Sequence, residues 1–252
     1  MLAQRDLLKF LRDRPRIVMT FIFPFIFIGI FGVTLNSGLS QFNLGFNYID
    51  YIFSGMLLQT VFQSSLAGIV SLIADREKDF AMSIFVSPVS RFSIVAGKIL
   101  GESLVGVAQL IGLIAFGQLI GVSFSLSSLL TTLPFCLLAA FVGGSMGMFL
   151  ASRIEKADNA QRIFPFLIFP MMFSSGAFTP VNNLPWFLNI IKSINPLYYG
   201  VDMIRNILFT GSPSLKYVVS NTFSYDLLIF AGLGILFFFG GTYLFTQKEG
   251  NR

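Results

Sequence analysis

Apolar and polar positions follow each other along this chain in long blocks. Apolar runs cover 17–35, 52–73, 99–121, 129–151, 163–178 and 227–246, with shorter polar stretches between them. A helix needs about 20 apolar residues to cross the hydrocarbon core of a bilayer, and all but one of the runs meet that length. The run 163–178 is shorter and holds Pro165 and Pro170. It predicts a kinked helix, or one continued by polar neighbours at its cytoplasmic end. The expected fold is all-α and membrane-integral, with six transmembrane helices in a single domain over 1–252.

Two segments outside these runs carry a pattern of their own. In 1–16, Arg5, Lys9 and Arg12 share one helical face while Leu7, Phe10 and Leu11 share the other. That predicts an amphipathic helix on the membrane surface. It does not read as a secretion leader, because the apolar run that follows is long and no small-x-small cleavage site succeeds it. In 179–209, two apolar stretches at 184–194 and 197–209 are each too short to span, and Pro180, Pro185 and Pro196 punctuate them. Such stretches form re-entrant or interfacial helices, and Trp186, Tyr198 and Tyr199 fit an interfacial aromatic belt. The hairpin is either an outer gate over a pathway or a lid that only packs the outer face.

Composition agrees with lipid as the solvent. Apolar residues make up 54% of the chain and charged ones 12%, against about a quarter charged in soluble domains. Of the 17 Lys and Arg, only Lys192, Arg205 and Lys216 fall on one side of the predicted topology. The others sit in the N-terminal segment, the loops after the second and fourth runs, and the C-terminal tail. By the positive-inside rule both termini are cytoplasmic, in a bacterial-type plasma (inner) membrane. The net charge of +5 is therefore a topology signal, and no nucleic-acid partner is implied. The chain has no His and one Cys, Cys136, which removes a His-based metal site, a Ser-His-Asp triad and an internal disulfide. The predicted spans hold no carboxylate pair, so an intramembrane hydrolase is disfavoured. Ala96-Gly97-Lys98-Ile99 lacks the upstream Gly and the Ser or Thr after Lys that a phosphate loop needs. No catalytic, cofactor-binding or metal residues are assigned.

A few polar residues inside the runs call for an explanation. Gly55, Gln59 and Gln63 lie on one face of the second run. They line a pathway or a dimer face, or else bond within the subunit. Glu102 follows Lys98 at helical spacing and predicts an ion pair near the cytoplasmic surface. Asp202 and Arg205 are also spaced for a local ion pair. Gly117/Gly121 and Gly143/Gly147 predict close helix packing, and Cys136 a small apolar filler. The loop from Ala74 to Arg91 predicts a short amphipathic helix over Phe80–Val86, then Ser87-Pro88 as the start of a new helix. That loop either docks on a soluble partner or merely reverses the chain.

Ser87-Pro-Val-Ser-Arg91 followed by Gly97-Lys98 resembles the cytoplasmic loop of ATP-binding-cassette (ABC) type-2 exporter permeases. So does the block from Ser175-Gly176 through Pro180 and Pro185 to Asn195-Pro196-Leu197 and Asp202-Met203-Ile204-Arg205. The run Arg12-Asp13-Arg14-Pro15-Arg16 is similar to the drug-resistance branch, and the pattern of polysaccharide exporters near the first span is missing. The resemblance implies a transport subunit that pairs with a second copy of itself and two copies of a separate ABC ATPase. It places the ATPase-coupling helix in 76–86, with Arg76, Glu77, Lys78, Phe80, Ser83 and Ile84 as contacts. It makes Ser175, Gly176, Pro180, Asn195, Pro196, Asp202 and Arg205 the outer gate. ATP and Mg would be held by the partner. A hydrophobic drug-like or lipid-like cargo fits the Phe-rich spans; a glycan exporter of the same architecture and a non-transporting scaffold are the alternatives.

Overall fold

The computed structural model describes residues 7–8, 10–32, 46–77, 91–154, 156–181 and 185–250. Among them all regular structure is helical. Helix α1 is Arg14–Ile26, prolonged as a π-helix over Phe27–Gly32, and α2 is Tyr48–Glu77. The next are α3 (Arg91–Leu119), α4 (Leu126–Thr131), α5 (Leu133–Ala151) and α6 (Ala157–Ser174). Helices α7 (Trp186–Ile194), α8 (Pro196–Leu208), α9 (Leu215–Val218) and α10 (Phe223–Gly250) follow.

Four stretches are long and apolar enough to cross a membrane: Tyr48–Ile69, Ala96–Leu119, Leu126–Ala151 and Leu215–Leu244. They contain the second, third, fourth and sixth apolar runs in whole or in large part. The first run does not form one uninterrupted α-helix. Pro24 lies inside α1, where it has no N–H to give the preceding turn, and the helix widens to π geometry three residues later. The last part of that run, 33–35, lies outside the described residues. The fifth run belongs to α6, which starts earlier than predicted, on the polar Ala157-Asp158-Asn159, and ends at Ser174. In the predicted surface segment, residues 10–12 are helical and the helix breaks at Asp13. Phe10 is buried, whereas Leu8 and Leu11 are exposed.

Helix α2 is the axis of the bundle and packs most extensively on α5, which in turn packs on α10. The α2–α5 contact is backbone to side-chain-free surface. A Cβ on Gly143 would lie 2.3 Å from the Phe62 carbonyl oxygen, and one on Gly147 would lie 2.8 Å from that of Leu66. These two glycines do what their spacing predicts. Gly117 likewise accepts the Phe53 ring, but Gly121 does not pack. It has φ 77° and open space around it, and it ends α3 in a left-handed turn closed by Val122 N–H donating to the Gly117 carbonyl at 3.0 Å.

The contacts fix the directions. Phe62 and Leu66 follow Gly143 and Gly147, and Val142 and Phe149 follow Gly234 and Gly241, so α2, α5 and α10 run parallel. Phe53, Val61 and Gly68 meet Gly117, Gly106 and Glu102, so α3 runs opposite. Phe21 meets Gly112 and Phe25 stacks on Phe116, so α1 runs with α3. The start of α1 and the finish of α10 thus lie at the same end of the bundle as Glu77. Large apolar side chains such as Phe166, Leu228, Ile235 and Phe239 are exposed on the outside, as a lipid-facing surface requires.

Gly143→Ala is expected to destabilise the chain by about 1–3 kcal/mol, the usual cost of forcing a methyl into a close-packed contact. Gly232→Ala, in α10 with nothing within 4 Å of the added Cβ, serves as control and should leave the melting temperature unchanged or slightly raised. Equal melting temperatures for the two variants in detergent would refute the backbone contact.

Candidate functional site

At the end of the bundle where α2, α5 and α10 begin, charged and aromatic groups knit three layers together. Asn195 caps α8 by accepting from Leu197 N–H at 3.0 Å, with Pro196 in the first turn. Its amide nitrogen donates to the Met171 carbonyl at 2.7 Å and the Ser174 hydroxyl at 3.1 Å, bolting the start of α8 to the finish of α6. Ser175 donates to the Met172 carbonyl at 2.7 Å and accepts from Ala177 N–H at 3.2 Å. Gly176 has φ 78°, which suits a residue without Cβ, and it carries the chain away from α6 with its carbonyl facing Arg205.

Arg205 is 3% exposed, so its charge must be satisfied inside. One terminal nitrogen donates to the Gly176 carbonyl at 2.7 Å, the Tyr51 carbonyl at 3.2 Å and the Ala177 carbonyl at 3.5 Å. Nε donates to the Ser54 hydroxyl at 3.3 Å, and the guanidinium lies 3.6 Å from the centre of the Tyr51 ring. Tyr51 adds its own hydroxyl to the Gly176 carbonyl at 2.8 Å, and Tyr48 donates to the Phe178 carbonyl at 2.6 Å. Asp50 accepts from Ser123 N–H at 3.0 Å, which fastens the turn after α3 to the same place. The start of α2 is therefore tied to α8 and to the turns after α3 and α6.

Asp202 and Arg205 do not form the expected ion pair. Arg205 points to α2, while Asp202 points to the turn before α10. Its two oxygens accept from Ser220 N–H at 3.0 Å and from Asn221 N–H at 2.8 Å. Each finds backbone groups that a neighbouring side chain in the same helix could not replace. Burial raises the Asp202 carboxyl above the usual carboxylate range, against the pull of the Asn221 and Ser220 amides and of the Arg205 charge. Burial also lowers the Lys192 ammonium, and Asp202 opposes that shift. A small cavity is lined by Tyr51, Ser175, Pro180, Tyr198, Asp202 and Arg205. Ser175, Gly176, Asn195, Pro196, Asp202 and Arg205 thus join one bonded cluster, and Pro180 borders it.

Sequence reasoning missed several members. Tyr48, Asp50, Tyr51 and Ser54 belong to the first turns of α2, which begins four residues before the predicted start at Ile52. Asn221 and Asp226 precede the predicted last span, where an Asp reads simply as a first-turn residue. The Tyr-x-Asp-Tyr spacing at the head of an apolar run was the available signal.

The other predicted residues lie elsewhere. Gly55 packs on Ala177, Gln59 is 1% exposed and Gln63 is half-buried. Neither amide atom of Gln59, nor the amide nitrogen of Gln63, has a partner among the described residues. Arg76 and Glu77 close α2 at the opposite end; Lys78, Phe80, Ser83 and Ile84 lie outside the described residues. Lys98 and Glu102 form the expected ion pair at 2.8 Å, and both side chains are buried, Glu102 against Gly68 of α2. Cys136 is a buried free thiol.

Arg205→Lys keeps the charge but cannot hold three carbonyls, a hydroxyl and a ring at once. It is expected to cost about 2–3 kcal/mol, the worth of hydrogen bonds to a charged group. Tyr51→Phe leaves the Gly176 carbonyl still served by Arg205 and should cost about 1 kcal/mol. Thermal unfolding in detergent checks the order, and a neutral Arg205→Lys would contradict the clamp.

The sequence pattern of the ABC-2 type transporter family matches residues 1–209. The chain is 29% identical over 199 residues to the transport permease ycf38 of Cyanophora paradoxa, covering 77% of this chain and 69% of that one. It is 28% identical over 211 residues to ycf38 of Porphyra purpurea, covering 82% and 72%. It is 24% identical over 195 residues to the inner membrane transport permease YadH of Escherichia coli K12, covering 76% and 72%. With four membrane-length helices in the described residues and a family match over most of its length, this chain belongs to the ABC-2 type transporter permeases.

Proposed function

We propose that this chain is the membrane subunit of an ATP-driven exporter, of the drug-resistance branch, and that it moves a hydrophobic drug-like or lipid-like cargo outward. Permeases of this family generally work with a separate ATP-binding subunit. Here ATP and Mg belong to that partner, two permease copies share the pathway, and α1 and α6 complete six spans with both termini cytoplasmic. The membrane is of the bacterial inner type.

The observation that carries this reading is the reach of α2. It has 30 residues, about 45 Å at 1.5 Å per residue, and contains no proline. One end holds Arg205 through Tyr51 and Ser54. The other finishes at Arg76 and Glu77, the first residues of the proposed ATPase-coupling segment. A push on residues 76–86 is delivered along one rigid rod to the cluster of Ser175, Gly176, Pro180, Asn195, Pro196, Asp202 and Arg205, which acts as the outer gate. The Gln59 amide and the Gln63 amide nitrogen, without partners among the described residues, lie partway along the rod and suit a pathway or dimer face that changes during transport.

Glu77→Ala and Phe80→Ala are expected to abolish the permease's effect on the activity of its co-purified ATPase and to stop export, while inserted protein stays at wild-type level. Unchanged coupling in both variants would reject residues 76–86 as the contact.

A further inference from the structure

The cluster contains a second acid whose chemistry the gate reading does not use. Asp226, in the first turn of α10, is 0% exposed, and Asp202 is 3% exposed. Asn221 joins the two carboxyls, its N–H donating to Asp202 Oδ2 at 2.8 Å and its side-chain amide to Asp226 Oδ1 at 2.9 Å. Their partners are unequal. Asp202 receives the backbone N–H groups of Ser220 and Asn221, as suits an anion. Asp226 receives one neutral amide, Asn221 Nδ2 on Oδ1 at 2.9 Å, while its Oδ2 meets no donor from the described residues. Two carboxyls gathered on one residue in a buried site repel when both are ionised, which favours a proton on the one with fewer donors.

We propose that Asp226 and Asp202 form a proton-binding site, a carboxylic acid hydrogen-bonded to a carboxylate, that fastens α8 to α10 at the outer gate. The proton sits on Asp226 and is donated to Asp202, leaving one negative charge on the pair. A bound metal cation fits less well, because amide hydrogens already point at the Asp202 oxygens. The charged and titratable groups around the pair come from several elements. They are Arg205, Tyr198 and Tyr199 on α8, Lys192 on α7, Tyr51 on α2 and Tyr225 on α10. Arg205 is engaged by carbonyls of α2 and of the turn after α6. Lys192 faces the Tyr198 ring at 4.5 Å. Neither is bonded to Asp226, so removal of the shared proton leaves two adjacent anions.

Loss of the shared proton places two like charges side by side in a buried site, so the fastening of α8 to α10 weakens as the pair ionises. This inference deepens the outer-gate reading and rests on it for its consequence; the proton site itself is read without any ATPase.

The test uses the full chain in nanodiscs. Infrared difference spectra should show a protonated carboxyl at neutral pH in the wild type. The band should be lost in Asp226→Asn, persist in added calcium, and disappear at alkaline pH together with a fall in melting temperature. Asp226→Asn, which mimics the neutral acid, should have a melting temperature flat across the same alkaline window. Absence of the wild-type band, its survival in Asp226→Asn, its displacement by calcium, or an equal alkaline fall in both proteins would each overturn the proposal. If Asp226→Asn does not fold, the wild-type band, its loss at alkaline pH and its response to calcium decide alone.

Discussion

A guanidinium buried beneath one end of a helical bundle sets the terms for everything around it. Arg205 cannot be dehydrated without several oxygen atoms to replace water, and its neighbouring acid is engaged elsewhere. The oxygens come from backbone carbonyls of Tyr51, Gly176 and Ala177 and from the Ser54 hydroxyl. The Gly176 and Ala177 carbonyls are available because α6 has just ended, at a left-handed Gly176, while the Tyr51 carbonyl accepts from Arg205 as a further donor from within the first turn of α2. The start of α2, the end of α6 and the last turn of α8 are thereby held in register by one side chain. Its ring contact with Tyr51 explains the need for a planar cation.

The remainder of the bundle is arranged so that this register extends along the chain. In lipid there is little hydrophobic force between helices, and close approach must come from small residues. Gly143 and Gly147 bring α5 against the carbonyls of α2, and Gly234 and Gly241 bring α10 against α5. Helices α2, α5 and α10 are consequently coupled as a parallel trio. The pair of acids at the start of α10 and the arginine on α8 act on the same end of that trio.

Much of this was legible before any coordinates. Block hydropathy located the long helices, since in lipid a spanning segment must be both helical and apolar. The glycine pair on α5 was legible because small residues at that spacing have a local physical meaning. The polar cluster was only half legible. Ser175, Gly176, Asn195, Asp202 and Arg205 stood out in the sequence, but their partners Tyr51, Ser54, Asn221 and Asp226 are far away along the chain. Helix spacing favoured Asp202–Arg205 as a pair, and tertiary hydrogen bonds to backbone groups prevailed over it. The widening of α1 to π geometry three residues after Pro24 was not legible for a related reason: an apolar window counts residues and does not register a missing N–H.

The same geometry gives the proposed gate a mechanical character. Asp202 holds the turn before α10, and Arg205 holds α2 and the turn after α6, so α8 is gripped from two sides by opposite charges. Neither charge neutralises the other directly, and each depends on backbone groups that move with a different helix. Separation of α2 from α8 strips donors' targets from Arg205, and separation of α8 from α10 does the same to the acid pair. Opening this end of the bundle is therefore costly along either route unless water enters with the motion. A pathway that admits water or a hydrated headgroup as it opens lowers that cost, whereas a dry opening does not. The polar lining of the cavity beneath Pro180, with Tyr51, Ser175 and Tyr198 beside the two charges, suits the wet route.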